Sequence, residues 1–201
     1  MSRKSVFERI YNSKAWSNED GSIPLSGPGS SLSNTVQIRN FLDDFVKNNK
    51  IGSILDLGCG DLTWIRHTET FNDINVKYIG VDIVESVVKE NIARFPTRIF
   101  LCSDVVENDI PYSDVILIRD VIFHMKLIDI SKVLEKLRGK YLIITSCRND
   151  KNFDNIDNVY NYCEVNLRIS PFNKTDFIDI VKEDKYNRDI LVYKLKEDKH
   201  L

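Results

Sequence analysis

The sequence predicts an α/β fold: a doubly wound, mostly parallel sheet of seven strands, helices on both faces, and an antiparallel hairpin at the C-terminal end. Three observations predict it. Five short apolar runs recur between residues 53 and 147, each continuous rather than strictly alternating. Strands buried on both faces read this way. Between them lie segments with helical spacing, and strand–helix–strand repetition implies parallel neighbours joined by crossovers. Near the end, "FIDIVKED" (177–184) and "DILVYKLK" (189–196) are separated only by "KYNR", too short for a helix, which makes them a hairpin added to the sheet edge.

The elements follow in order. "GSIPLSGPGSSLSN" (21–34) is rich in Gly and Ser and reads as a linker or as a substrate or cofactor flap. "NTVQIRNFLDDFVKN" carries an apolar stripe at Val36, Ile38, Phe41, Leu42 and Phe45, with Asn34 as its N-cap. "SILDLG" (53–58) is the first strand, ended by glycine, and 61–72 is a weaker helix. "KYIGVDI" (77–83), "RIFLCSD" (98–104), "DVILIRD" (114–120) and "KYLIITSC" (140–147) are the next four strands. "ESVVKENIARF" and "LIDISKVLEKLRG" are helices between them, the second closed by Gly139 as C-cap. A polar loop spans 148–160.

Bulk properties bound the function. At 201 residues the chain is expected to form one domain, with 1–34 as an N-terminal flap and 35–201 as the core. A net charge of −2 argues against a strongly electrostatic grip on long nucleic acid. The cysteines Cys59, Cys102, Cys147 and Cys163 form no CxxC pair, so neither a zinc ribbon nor a thioredoxin motif is expected. Buried free thiols fit a reducing, cytoplasmic setting. "MSRKSVFERIYNSKAW" has no long apolar core and reads as no signal peptide, and no apolar run is long enough to span a membrane.

The chemistry starts at "ILDLGCGDLTW" (54–64). Two glycines directly after a strand let the backbone pass close to a ligand and aim the next helix at it. Dinucleotide sites use GxGxxG there, but the third glycine is missing after Gly58 and Gly60, and Asp56 stands at the strand end, where it would repel phosphate. Asp82 ends the second strand, about 20 residues on, where a carboxylate can take both ribose hydroxyls. Asp104 follows the third strand, suited to an adenine amino group, with the backbone N–H of Ser103 or Asp104 for the ring nitrogens. Carboxylates at successive strand tips suit a cationic adenosine, S-adenosylmethionine (SAM), whose sulfonium and ammonium groups Asp56 would welcome.

At these residues the chain resembles the class I SAM-dependent methyltransferases, with "ILDLGCG", "IGVDI", "CSD", "DVILIRD" and the terminal hairpin in order. The resemblance implies a Rossmann-like fold, SAM as cofactor and methyltransferase activity. No NPPY-like sequence follows the fourth strand, so N-methylation has no support; "IRDVIFHM" offers Asp120 and His124 instead. If 121–125 forms a helical turn, the two share a face. Transfer to an alcohol needs a proton acceptor, and His124 suits a general base. Asp120 would orient it, bind the acceptor hydroxyl, or hold a divalent cation. His67 and His200 read as a loop and a tail residue.

The flanks narrow the resemblance. "W…SGPGSSLSNTVQIRNFL", "DLGCGDLTWI", "RDVIFHM" and "EVNLRISPF" (164–172) together are similar to small methyltransferases encoded beside or fused to glycosyltransferases in bacteria and large viruses, including methyltransferase domains of chlorovirus glycan-synthesis proteins. That group implies O-methylation of a sugar hydroxyl on a carbohydrate or nucleotide-sugar acceptor, glycosyltransferase domains as partners, Mg²⁺ or Mn²⁺ as an added cofactor, and a cytoplasmic setting (host cytoplasm for a virus). Trp16, Ser26, Gly27, Gly29, Ser30, Thr35 and Arg39 match its N-terminal pattern, with Arg39 placed to pair with the donor's carboxylate. Trp64 matches the aromatic after the glycine turn; for Trp16 and Trp64, core packing is the alternative. Ile83 and Arg119 complete the expected cofactor contacts. Asn166, Pro171 and Phe172 match the later pattern. The chain departs from it at 148–160, where Asp150 is a candidate metal ligand beside Asp120 and Asp154 a weaker one.

Two rivals remain. An RNA ribose 2′-O-methyltransferase would use a Lys-Asp-Lys-Glu set, matched loosely by Lys14, Asp120, Arg148 and Glu164; no basic stripe with interleaved aromatics accompanies it. The other is a non-catalytic SAM-binding subunit.

Overall fold

The structure, a computed structural model, describes residues 2–18, 20–154 and 162–195. The chain forms two compact units, Met1–Asp104 and Val105–Leu201.

The first unit opens with a helix the sequence reading did not anticipate, α1 (Arg3–Asn12). Ser2 caps it, its Oγ accepting the Ser5 N–H at 3.2 Å. The segment is polar overall, but Phe7, Ile10 and Tyr11 recur at i, i+3 and i+4, and Ile10 is buried. The 21–34 segment is no open linker. It folds into 3₁₀ turns at Pro28–Ser30 and Leu32–Asn34, tied by Asn34 Nδ2 donating to the Pro28 carbonyl at 2.8 Å. Asn34 is therefore not the N-cap of α2 (Val36–Asn48); Thr35 holds that position. The buried stripe of α2 is Ile38, Leu42, Phe45 and Val46, while Val36 is exposed.

Three parallel strands follow, β1 (Ser53–Leu57), β2 (Lys77–Asp82) and β3 (Ile99–Cys102), with β2 between the other two. The expected helix at 61–72 shortens to a 3₁₀ turn (Ile65–His67) and α3 (Glu69–Asn72). Thr68 is the N-cap of α3, its Oγ1 accepting the Phe71 N–H at 3.0 Å, and the Asp43 carboxylate of α2 accepts the Glu69 and Thr70 N–H groups at 3.0 and 2.8 Å. α4 (Glu85–Arg94) connects β2 to β3. β3 differs from the buried strand expected: Phe100 is buried, but Ile99, Leu101 and Cys102 are exposed. It is paired on one side by β2 and is the outer strand of this set, so much of its surface meets solvent.

In the second unit, β4 (Ser113–Ile118) pairs in parallel with β5 (Gly139–Cys147), and α5 (Leu127–Lys136) connects them. β7 (Arg188–Lys194) lies antiparallel beside β5, and β6 (Asp179–Glu183) lies antiparallel beyond β7. The hairpin is as expected, with the later strand inside. Ile116, Leu117, Ile143, Ile144, Leu191 and Val192 are buried, each contributing about 1.5–3 kcal/mol. Gly139 does not cap α5; it is the first residue of β5. A Cβ there would stand 2.2 Å from the Ser113 carbonyl oxygen, so close strand pairing demands glycine. Lys136 instead closes the helix end, its Nζ donating to the Val105, Val106 and Asn108 carbonyls. Among the described residues no helix is long and apolar enough to cross a membrane. Of the polar loop, 155–160 lies outside the described residues, as do residue 161 and His200.

Candidate functional site

In the first unit the glycine turn is built by backbone geometry. Gly58 and Gly60 have φ of 76° and 57°, the left-handed region that other residues enter at a cost. The N–H groups of Gly58 and Cys59 both donate to the Val81 carbonyl, at 2.7 and 3.0 Å. Asn91 of α4 donates from Nδ2 to the Gly60 carbonyl at 2.8 Å. The turn is thereby fastened to the end of β2, where Asp82 stands.

Asp82 is buried, and each of its oxygens accepts one backbone N–H: Oδ2 from Gly60 and Oδ1 from Val84, both at 3.0 Å. A carboxylate offers about four lone-pair directions, so beside the Gly60, Val84 and Ile83 N–H groups one remains for a hydroxyl. Burial pushes the Asp82 pKa up, against the hydrogen bonds from Val84, Gly60 and Ile83. Asp56, Asp61 and Asp82 converge on this turn. Burial and then the charges of Asp82, Asp56 and Asp61 raise the Cys59 thiol well above its ordinary range. The turn is an anionic cradle, favourable to a cation and hostile to a phosphate.

Other expected donor contacts are placed differently. Asp56 lies within β1, buried, its Oδ2 accepting the Tyr78 hydroxyl at 2.6 Å. Its charge reaches the turn, but the carboxylate is bonded to β2 rather than open at the strand end. The Ser103 N–H donates to the Asp82 carbonyl at 2.9 Å and so is taken from the adenine role. Asp104 pairs with Arg3 of α1 at 2.5 Å. Trp64 is buried, and Trp16 stands edge-on to Phe7 and Tyr11, at 6.0 and 6.3 Å between ring centres. Arg39 donates from Nη2 to the Leu32 carbonyl at 3.1 Å; its charge also acts on His67, where burial, then Arg66, then Arg39 lower the imidazole pKa.

The second unit holds Asp120 and His124. Asp120 has φ 61°, an uncommon conformation for a residue with a side chain. Its N–H donates to Thr145 Oγ1 at 3.1 Å. Its carboxylate lies between two guanidinium groups, Oδ2 at 3.1 Å from Arg119 Nη1 and Oδ1 at 3.0 Å from Arg188 Nη1. Both arginines also reach Glu183, at 3.0 Å from Arg119 Nη2 and 2.6 Å from Arg188 Nε. Two cations and two anions thus close a ring. Arg119 is committed to this ring rather than to a cofactor.

His124 ends the 3₁₀ turn Ile122–His124 and meets the Tyr162 ring edge-on, 5.9 Å between centres. Tyr162 hydrogen-bonds to Cys147, and burial first, then Cys147, raise its pKa. The partner of Asp120 is therefore arginine, not histidine. Arg148, invoked for the RNA reading, is held by Asp189, its Nη2 at 2.7 Å from Oδ1.

Among the described residues the expected donor set does not fit a divalent cation. Asp120 is bound to two guanidinium groups and Asp150 is exposed. Asp154 Oδ1 accepts the Leu127 N–H at 3.1 Å. Among the described residues no group of three or more His, Cys, Asp or Glu side chains could hold a metal ion.

Sequence reasoning missed Arg3, Tyr11, Asp61, Tyr162, Glu183 and Arg188. For Tyr11 a signal existed, the aromatic pair Phe7/Tyr11 at helical spacing. For Glu183 and Arg188 the signal was charge inside an apolar hairpin; they are cross-strand partners.

Comparison with solved structures decides the fold. A magnesium protoporphyrin IX methyltransferase from Synechocystis, solved with bound SAM, superposes with a TM-score of 0.63 at 14% identity, covering 98% of each chain. The fold is the Rossmann-like methyltransferase fold, with a parallel core and antiparallel C-terminal strands. The methyltransferase domain of bacterial CtHen1-C gives 0.59 at 18% identity, covering 82% of this chain and 99% of that one. An O-methyltransferase from a polyketide-synthase multienzyme of Brevibacillus brevis, in complex with S-adenosyl-L-homocysteine, gives 0.58 at 15%, covering 83% and 73%. No family model and no curated protein matches the sequence.

Proposed function

We propose that the chain transfers a methyl group from SAM to a hydroxyl of a sugar or glycan. The observation that carries the donor half is the glycine turn between β1 and α3, on which Asp56, Asp61 and Asp82 act together. A sulfonium and an ammonium group gain from that field; a pyrophosphate would not. Asp82 holds the ribose through the lone-pair direction that its backbone N–H donors leave open.

The donor supplies an electrophilic methyl group on positively charged sulfur. His124 accepts the acceptor hydroxyl's proton on a ring nitrogen as its oxygen forms the new C–O bond, and the electron pair of the broken C–S bond stays on sulfur. Asp120, held by Arg119 and Arg188, accepts a hydrogen bond from a second acceptor hydroxyl. No metal takes part in this scheme. The sugar reading is supported by the matched segments around Gly27, Trp64, His124 and Asn166, and glycosyltransferase domains are the partners it entails.

The test is incubation of the full chain with isotope-labelled SAM and a panel of free glycans, nucleotide sugars and capped RNA. Label on a sugar hydroxyl supports the proposal. Label on RNA alone, or donor binding without transfer to any member, replaces it with one of the two rival readings.

A further inference from the structure

The helix α1 stands over the strand tips of its own unit. Its first turn carries Arg3, whose Nη1 lies 2.5 Å from Asp104 Oδ2 at the end of β3. The next residue, Lys4, lies 3.9 Å from Glu85 Oε2, in the first turn of α4. Its last turn carries Tyr11. A Cβ built on Gly60 would stand 3.1 Å from the Tyr11 hydroxyl oxygen, so the phenol lies directly on the glycine turn. Burial, then Asp82 and Asp61, raise the Tyr11 pKa well above the ordinary phenol range. The hydroxyl stays protonated among carboxylates. Trp16 braces the ring edge-on and packs against Gly27, where an added Cβ would meet it at 3.7 Å. Ser26 ties the same segment to the turn, donating from Oγ to Asp61 Oδ1 at 2.8 Å.

We propose that α1 is a wall of the donor site, in which the Tyr11 hydroxyl hydrogen-bonds the bound donor beside Asp82 and the Arg3–Asp104 pair is a latch that parts as the donor enters or leaves. The inference rests on the donor reading above. Tyr11 adds a neutral hydrogen-bond donor where the chain otherwise offers acceptors, and ribose oxygens beside Asp82 need such a group. Arg3 occupies the carboxylate at the end of β3, so the pair closes over the bound donor and Asp104 does not bond the adenine while the latch is shut. The latch side chains are each about one-fifth exposed, at 20% and 22%, which leaves the pair open to salt.

The experiment follows S-adenosylhomocysteine binding to the full chain, by calorimetry for affinity and stopped-flow tryptophan fluorescence for rates. Tyr11→Phe keeps the ring against Trp16 and should raise Kd about 5- to 10-fold, the scale of one lost hydrogen bond. Arg3→Gln should speed dissociation about tenfold, and the acceleration that 0.5 M KCl gives the parent chain should vanish in it. Thermal melts matched to the parent chain exclude a folding effect. Asp82→Ala tests the donor site itself. If Asp82→Ala loses binding while Tyr11→Phe and Arg3→Gln behave as the parent, the wall is overturned and the donor site stands. If the parent chain binds no S-adenosylhomocysteine, both fall.

Discussion

Arg188 Nη1 lies 3.0 Å from Asp120 Oδ1, so the first residue of β7 holds the carboxylate that follows β4. Arg188 and Glu183 are nearly inaccessible to water, at 6% and 5% side-chain exposure. Burial disfavours the Arg188 charge, and Asp120 and Glu183 restore it, leaving its pKa raised. Removing one member strands the charge of another. Arg188→Ala should therefore cost about 3–5 kcal/mol in urea unfolding. A loss under about 1 kcal/mol, the scale of an exposed pair, would show that the ring is not load-sharing.

His124→Ala should leave S-adenosylhomocysteine affinity near the parent value and cut turnover about 10²-fold or more, the scale of general-base loss. The measurement is initial rate at saturating donor with whichever acceptor the panel identifies. Unchanged turnover removes His124 from the chemistry.

Asp82→Ala should weaken donor binding and also loosen the turn, because the Gly60 and Val84 N–H groups lose their acceptor. Each buried, unpaired N–H costs about 1–3 kcal/mol. The pH dependence has two signs. The Asp82 pKa is raised by burial, so its contribution to stability is full below the unfolded value of about 3.9 and is lost as pH rises through the folded value. Donor affinity runs the other way, since the ionised carboxylate is the better acceptor. Calorimetric titration from neutral to acid pH should show affinity falling before an ordinary aspartate would titrate.

The cysteines should react with a thiol reagent in a fixed order. Cys102 is exposed and goes first. Cys147 is buried and its pKa is pushed up to about 11, chiefly by burial, and Cys59 is buried with its thiol raised well above its ordinary range. Both stay as unreactive thiols at pH 8. Mass spectrometry after iodoacetamide treatment should find Cys59 and Cys147 modified only in the unfolded chain. Early labelling of Cys59 would mean the turn opens readily.

Much of the fold was legible because backbone burial writes itself locally. "ILDL", "YIGVD" and "VILI" are strands because only residues buried on both faces can be apolar without interruption. The hairpin was legible because four polar residues leave no room for a crossover. α1 was not, because a helix stabilised by packing of three residues, Phe7, Ile10 and Tyr11, has a weak signal in a polar segment. Gly139 misled because a glycine after a helix is also a glycine that starts a tight strand pair.

By itself the sequence determined the glycine turn, the carboxylates at or just after the ends of β2, β3 and β4, and the order of the strands. Those depend on residue type and on separations of a few residues, which fix dihedral angles and burial. Only the tertiary structure decided which charges meet. It gave Asp104 to Arg3, Asp120 to Arg119 and Arg188, and Asp56 to Tyr78. An ion pair depends on distances of a few ångströms between side chains that stand as many as 101 residues apart. Composition and spacing along the chain carry no measure of that distance.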